Sequence, residues 1–287
     1  MNEIDAILDG VVHCASDISS GLRGRRDYGQ ELNASGEKQL KADVWANEQL
    51  KEQLTEIDAV GQFASEEDDD VIDCGEGLSV TIDPLDGSSN LPTNNIVGTI
   101  VGVYDSPLPA PGKALVSSFY VVYGPIISLM VARDQQVDEY ALEEDLDKKQ
   151  VNTYPTNKDL DIPSPSIYGF GGSDDRHSES FSEFASTVRS DLKQRYGGSL
   201  VGDANQVLHR GGIYAYPGLK EKPQGKLRLQ YEANPMAFIF KHAGGASSNG
   251  HQSILDVSPS SLHERTPLYI GNQNLIDRVE SIVNAPS

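Results

Sequence analysis

The sequence predicts a mixed α/β (α+β) protein, with a largely antiparallel sheet in its first half and alternating strands and helices in its second. Three observations carry this: an amphipathic helical stripe at the start, strand-length apolar runs between residues 60 and 142, and a return to alternating patterns after a proline-rich break.

Ile4, Ile7, Leu8, Val11, Val12, Ala15 and Ile18 recur at helical spacing, so the chain opens with a helix closing near Gly21. Residues 23–36 carry charge and glycine without a period, and a second helix is predicted over 43–54. Strands follow near 60–64 and 78–82; the alternating, β-branched Leu78-Ser79-Val80-Thr81-Ile82 should deliver Asp83 to a sheet edge and stop at Pro84, which has no ladder donor. Apolar runs at 96–104, 114–123, 126–132 and 137–142 have strand length, with Pro/Gly punctuation between several of them. Residues 152–165 hold three prolines and little apolar matter, which places a division between halves 1–155 and 156–287. Beyond it, 166–170 is extended, 178–194 helical, 204–209 a short helix and 213–216 a strand. A last helix is predicted over 232–242, with Pro235 tolerated in its first turn.

Among 287 residues, 43 Asp plus Glu stand against 23 Lys plus Arg, a formal net charge of −20. Such a surface repels nucleic acid and anionic membrane. In molar salt the Debye length falls to about 3 Å, so the repulsion is screened and the acids maintain hydration. The expectation is a protein adapted to a salt-rich cytoplasm, as in a halophilic archaeon, with an ordinary acidic mesophilic enzyme as the alternative. Cys14 and Cys74 are too few for a disulfide framework and lack metal-ligand spacing, so both are structural. The start has no basic, apolar leader pattern and no run reaches membrane-span length, which predicts a cytoplasmic protein.

The chemistry concentrates in Asp83-Pro84-Leu85-Asp86-Gly87-Ser88-Ser89-Asn90, where two carboxylates three residues apart precede a Gly-Ser-Ser turn. Carboxylate oxygens suit hard cations, and the turn's amides converge as an anion nest. Taken alone, an Asp-x-x-Asp is an acidic surface turn and Gly-Ser-Ser a plain turn. Other acidic segments recur at loops or element ends: residues 37–43, Ser65-Glu66-Glu67-Asp68 and Tyr231-Glu232-Ala233-Asn234-Pro235. Acids buried together require compensating cations. Phosphate-ester hydrolysis spreads negative charge over attacking, transferring and leaving oxygens, and two or three cations about 3.5–4 Å apart stabilise it.

These segments, in order with Gly36-Glu37-Lys38-Gln39-Leu40-Lys41-Ala42-Asp43-Val44, Val97-Gly98-Thr99-Ile100, Arg195-Tyr196-Gly197-Gly198-Ser199, Gly211-Gly212-Ile213-Tyr214-Ala215-Tyr216-Pro217 and Gly225-Lys226-Leu227-Arg228-Leu229-Gln230-Tyr231-Glu232, resemble class I fructose-1,6-bisphosphatases, within the superfamily that includes inositol monophosphatases. The resemblance runs nearly end to end and implies a layered α/β/α/β/α sugar-phosphatase fold. It implies that Glu66, Asp83, Asp86 and Glu232, with the Leu85 carbonyl, ligate magnesium or manganese, two or three ions per site. Asp43 and Glu67 stand where the family activates water, while Gly87, Ser88 and Ser89 hold the scissile phosphate. Tyr196 and Tyr216 match distal-phosphate contacts, Lys226 a contact to the sugar and its phosphate, and Arg195 an arginine reaching a neighbouring subunit's site, which implies a homo-oligomer, dimer or tetramer. Arg228, alternating with Lys226, is assigned to the fold.

Glu37 falls where the family usually has Asp. Around Tyr168-Gly169-Phe170-Gly171-Gly172-Ser173-Asp174, glycines and an acid replace the Asn and Tyr that the family aims at the distal phosphate. AMP inhibition at the animal-enzyme site is not expected, because Gly77-Leu78 stand where a basic-aromatic pair would be. The implied reaction is magnesium-dependent hydrolysis of the 1-phosphate of fructose 1,6-bisphosphate, serving gluconeogenesis. The same chemistry on sedoheptulose 1,7-bisphosphate or an inositol monophosphate is the alternative; a non-catalytic acidic cation-binding protein is the alternative of another class.

Overall fold

The structure is a computed structural model that describes residues 2–32, 38–145 and 150–283. Helix α1 (Glu3–Gly21) starts on Asn2, whose side chain accepts the Asp5 N–H at 2.7 Å. A small antiparallel ribbon of β1 (Tyr28–Leu32) and β2 (Lys38–Leu40) then leads into α2 (Lys41–Thr55). The ribbon belongs to neither large sheet, so no apolar alternation announces β1 in the sequence.

Strands β3 (Val60–Ser65), β4 (Ile72–Asp73), β5 (Leu78–Asp86), β6 (Val97–Tyr104), β7 (Leu115–Tyr123), β8 (Ile127–Arg133), β9 (Gln136–Asp145) and β10 (Gln150–Asn157) form an eight-stranded sheet in the order β10-β9-β8-β7-β6-β5-β3-β4. All neighbours are antiparallel except β3 and β5. Its middle strands are apolar on both faces, as a sheet covered on both sides requires. β10 carries this sheet through Asn157, so the proline-rich segment begins as an edge strand, where Pro155 is tolerated.

The second half builds β11 (Ile167–Phe170), α3 (Glu179–Asp191), β12 (Lys193–Gln194), α4 (Leu200–Arg210), β13 (Gly212–Tyr216), β14 (Leu227–Arg228), α5 (Asn234–His242), β15 (Ala246–Ser248), β16 (Arg265–Thr266), β17 (Leu268–Gly271) and α6 (Gln273–Val283). Five of these strands form a mixed sheet in the order β12-β11-β13-β17-β15, while β14 pairs β16.

The buried residues divide into three cores that stack the layers. Val101, Val103, Phe119, Val121, Leu129 and Val131 face α1 and α2. Their neighbours Ile100, Tyr120, Val122 and Met130 face α4 and α5, which also receive Tyr214, Leu268 and Ile270 from the second sheet. Phe170, Ile213, Ala215 and Tyr269 on that sheet's far side pack on α3 and α6. The result is the expected α/β/α/β/α stack, with α4 and α5 as the shared middle layer. Among the described residues, no helix is long and apolar enough to cross a membrane.

Two local departures matter for the site. β5 does not stop at Pro84 or lie at an edge; it runs through Asp86 between β3 and β6. The ladder breaks register between Asp83 and Asp86, so a bulge absorbs the missing Pro84 donor, and the Pro84 carbonyl accepts the Thr99 hydroxyl at 2.9 Å. The last predicted helix is preceded by a π-helical turn, Leu229–Ala233, so Glu232 lies in that turn and not in α5.

α4 is tied to the first sheet at its C-terminal end, where His209 Nε2 lies 3.2 Å from Glu139 Oε1 on β9. The hydrogen bond from His209 holds Glu139 down to about 2, and the same bond raises His209 above its ordinary value. The Glu139 contribution is present above its unfolded pKa and fades as pH falls toward 2. The His209 contribution is present below its unfolded pKa and fades as pH rises through the raised folded one. The pair therefore stabilises most between about pH 4.5 and 6.5. His209→Gln should lower stability by about 1 kcal/mol at pH 5.5 and by far less at pH 9. Denaturant melts at the two pH values check this; an equal loss at both would remove the ion pair as the cause.

Candidate active site

Three carboxylates from separate stretches meet beneath one cleft. Glu66 leaves the end of β3, where its N–H donates to the Ile82 carbonyl at 3.0 Å. Asp83 sits in the β5 bulge and its Oδ1 accepts the Leu85 N–H at 3.0 Å. Glu232 comes from the π-helical turn and accepts the Arg228 N–H at 2.5 Å. One oxygen from each of Glu66, Asp83 and Glu232 lies within 4.8 Å of the others.

The turn that brings Glu232 here is pinned by Gln230, which is fully buried. Its main-chain carbonyl accepts hydroxyls from Thr81 (3.0 Å) and Tyr104 (3.1 Å), and its side-chain amide exchanges two hydrogen bonds with the backbone of Ala110. A π turn re-aims side chains at the cost of regular helix bonding, and the first sheet supplies the partners that the turn forgoes.

Asp86 is held differently. Its Oδ2 accepts Ser199 Oγ and the Val201 N–H, each at 2.7 Å, at the N-terminus of α4 where partial positive charge gathers. Gly87 follows in the left-handed region at φ 72°, and a Cβ there would stand 2.5 Å from that of Ser199. Only glycine lets the turn meet α4 so closely. A cavity of about 240 Å³ opens above these groups, lined by Glu66, Asp83, Leu85, Asp86, Gly87, Ser88, Ser89 and Glu232, with Asp43, Glu67, Tyr196, Tyr216 and Lys226 around them.

With that geometry in place, comparison with known proteins agrees from every side. The chain matches the family models for the N-terminal domain of fructose-1-6-bisphosphatase over residues 20–153 and for its C-terminal domain over residues 162–284. It is similar to the class 1 fructose-1,6-bisphosphatase of Natronomonas pharaonis, 50% identical over 281 residues that cover 97% of this chain and 98% of that one. The Halobacterium salinarum relative is 44% identical over 282 residues, covering 97% and 96%. Among solved structures, the fructose-1,6-bisphosphatase of Leishmania major in holo form superposes with a TM-score of 0.91 at 29% identity, covering 99% of this chain and 95% of that one. The chain belongs to the class 1 fructose-1,6-bisphosphatase family.

Fructose-1,6-bisphosphatases are metal-dependent, and the donor set here fits a hard divalent cation. Burial raises Asp83 well above the carboxylate range, and repulsion from Glu66, Asp86 and Glu232 adds to it. Burial likewise raises Glu232, with Glu66 and Asp86 adding repulsion. Burial raises Asp86 too, opposed by the Val201 and Ser199 hydrogen bonds. Such oxygens either hold protons or share a cation.

At the rim, burial pushes Asp43 up to about 7, with repulsion from Glu67 second, while the Leu40 N–H at 2.7 Å pulls the other way. Glu67 accepts Gln39 Nε2 at 2.7 Å. On the opposite side, Tyr196 stacks on Tyr214 with ring centres 6.5 Å apart, and Lys226 Nζ stands 5.5 Å above the Tyr216 ring. Every residue assigned to the site from sequence lines this cavity except Arg195, which is exposed beyond it. Glu37 lies outside the described residues.

Sequence reasoning passed over Gln39, Ser199, Tyr214 and Arg265, all of them at the site or in direct contact with it. Arg228, assigned to the fold, is buried with its Nε 3.3 Å from Glu66 Oε1, so it also orients a cluster carboxylate. Ser199 had a legible signal as the N-cap of α4, where its hydroxyl accepts the Gly202 N–H.

Cation binding must displace protons from these acids, and it offsets their mutual repulsion. Chelation should lower the melting temperature and magnesium should restore it. Asp83→Asn should raise the melting temperature of metal-stripped protein and erase the magnesium-dependent rise. A variant that keeps the full magnesium response in thermal melts would exclude Asp83 from the cation site.

Proposed function

We propose that the chain removes the 1-phosphate of fructose 1,6-bisphosphate, giving fructose 6-phosphate and phosphate, as a gluconeogenic enzyme of the cytoplasm. The observation that carries this reading is the convergence of the Glu66, Asp83 and Glu232 oxygens within 4.8 Å, in the same cavity as Lys226 and the tyrosines. Within the reading, Glu66, Asp83, Asp86, Glu232 and the Leu85 carbonyl hold magnesium or manganese, two or three ions. Bound there, the cations supply Lewis acidity toward the phosphoryl oxygens and toward a water.

The amides and hydroxyls of Gly87, Ser88 and Ser89 hold the scissile phosphate in line with that water. Glu67 or Asp43 takes the water's proton, and Gln39 fixes the Glu67 carboxylate. Lys226, Tyr196 and Tyr216 hold the sugar and its far end, which converts binding into orientation at the reacting phosphorus. On this division of labour, residues 1–155 carry most cation ligands, and 156–287 carry the substrate contacts and Glu232. Arg195, exposed outside its own cleft, serves the neighbouring subunit of a homo-oligomer.

The test is a panel of fructose 1,6-bisphosphate, sedoheptulose 1,7-bisphosphate and inositol 1-phosphate with magnesium, at low and molar potassium chloride. Fructose 1,6-bisphosphate should give the highest kcat/KM, and molar salt should sustain it; preference for either other substrate would overturn the assignment. Asp86→Asn should cut kcat at least a hundredfold while the fold persists. Lys226→Ala should act mainly on KM, raising it about tenfold or more.

A further inference from the structure

Beside the carboxylate cavity lies a second one of about 260 Å³, lined by Arg176, Tyr216, Leu219, Lys222, Gly225 and Lys226. The two cavities share Tyr216 and Lys226. In a chain with 23 basic residues against 43 acidic ones, three of the basic residues line this one small space. We propose that Arg176 and Lys222, neither of which the assigned site includes, complete with Lys226 and Tyr216 a subsite for the phosphate group of the substrate that is not cleaved. This inference rests on the phosphatase reading above and names what sets affinity at its far end.

The surrounding backbone is built to hold these cations. The Lys220 N–H donates to the Arg176 carbonyl at 2.9 Å, tying the Arg176 turn to the next loop. Leu219 and Lys222 exchange backbone hydrogen bonds at 3.0 and 2.9 Å, and the Gly225 N–H donates to Lys222 O at 3.1 Å. Gly225 has φ 85°, and a Cβ there would stand 2.3 Å from Pro267 N, so the loop closes in one way. Lys220 itself turns away, its Nζ donating to the Asp175 carbonyl at 2.7 Å.

The same geometry explains the glycines at 171 and 172. A Cβ on Gly171 would lie 2.2 Å from the Tyr216 ring, so that ring occupies the space a side chain at 171 would need. Gly171 can contribute no side-chain donor here, and Arg176, a few residues on, supplies one. Arg176 is paired with Glu221, but both side chains are about half exposed. A solvated pair of this kind is weak, and a doubly charged phosphate offers the guanidinium a bidentate partner. Of the two acids just before it, Asp174 is engaged by Arg189, and Asp175 is held chiefly by a hydrogen bond from Ser173.

Calorimetric binding of fructose 6-phosphate, which carries only the uncleaved phosphate, tests this in molar potassium chloride with magnesium present. Arg176→Ala and Lys222→Ala should each weaken that binding about tenfold. Fructose 1-phosphate, which carries only the phosphate that is cleaved, should bind each variant within twofold of the parent protein. Glu221→Gln releases Arg176 from its pair and should tighten fructose 6-phosphate. The KM for fructose 1,6-bisphosphate should follow the same order with kcat within twofold. Unchanged fructose 6-phosphate binding in both alanine variants, equal weakening of both ligands, or no tightening in Glu221→Gln would overturn the subsite. Should the parent protein fail to hydrolyse fructose 1,6-bisphosphate yet bind fructose 6-phosphate through Arg176 and Lys222, the reaction assignment falls and the subsite stands.

Discussion

Carboxylates that repel one another are held together under the protein surface, and most of the architecture around the cleft exists to resist that repulsion. Burying one ionised group without a partner costs several kcal/mol, so a buried group of acids cannot organise itself. Each member is fixed by a different rigid element: Glu66 by the end of β3, Asp83 by the β5 bulge, Asp86 by the start of α4, and Glu232 by the π turn locked onto Gln230. The frame supplies geometry, and a cation bound there would supply the compensating charge. The five-layer stack matters because it makes both the sheet and the middle helices too well packed to yield.

The cleft is electrically divided. One end collects carboxylates, the other Lys226 with Arg176 and Lys222 close by, and Tyr216 stands between them in both cavities. On the proposed reading, a ligand with phosphate at each end would meet cations at both, bound ions at the acidic end and side chains at the basic end. The remaining surface, dominated by acids, has little else to offer such a molecule, so charge distribution favours the cleft over adventitious sites.

Much of this was legible in the primary sequence because it is local. The helical stripe from Ile4 to Ile18 became α1, and the apolar runs between residues 60 and 142 became the strands of the large sheet. The Asp83 to Ser89 segment announced its chemistry through side-chain type alone. What could not be read was settled by distant partners. Pro84 argued for a strand end, yet a bulge and the Thr99 hydroxyl carry β5 past it. The π turn owes its shape to Thr81, Tyr104 and Ala110, which are far away in the sequence. Arg228 lies against Glu66, and the Tyr216 ring fills the space beside Gly171, both contacts between residues too distant in sequence for spacing to announce.

Glu66, Asp83 and Asp86 leave the ribosome long before Glu232, and the Gln230 clamp that aims Glu232 closes on partners from the first half, Thr81, Tyr104 and Ala110. A nascent chain therefore carries three of the acids on a partly built frame, without the fourth and without the α4 N-terminus that steadies Asp86. The full set of buried acids is therefore brought together only once both halves of the fold are in place.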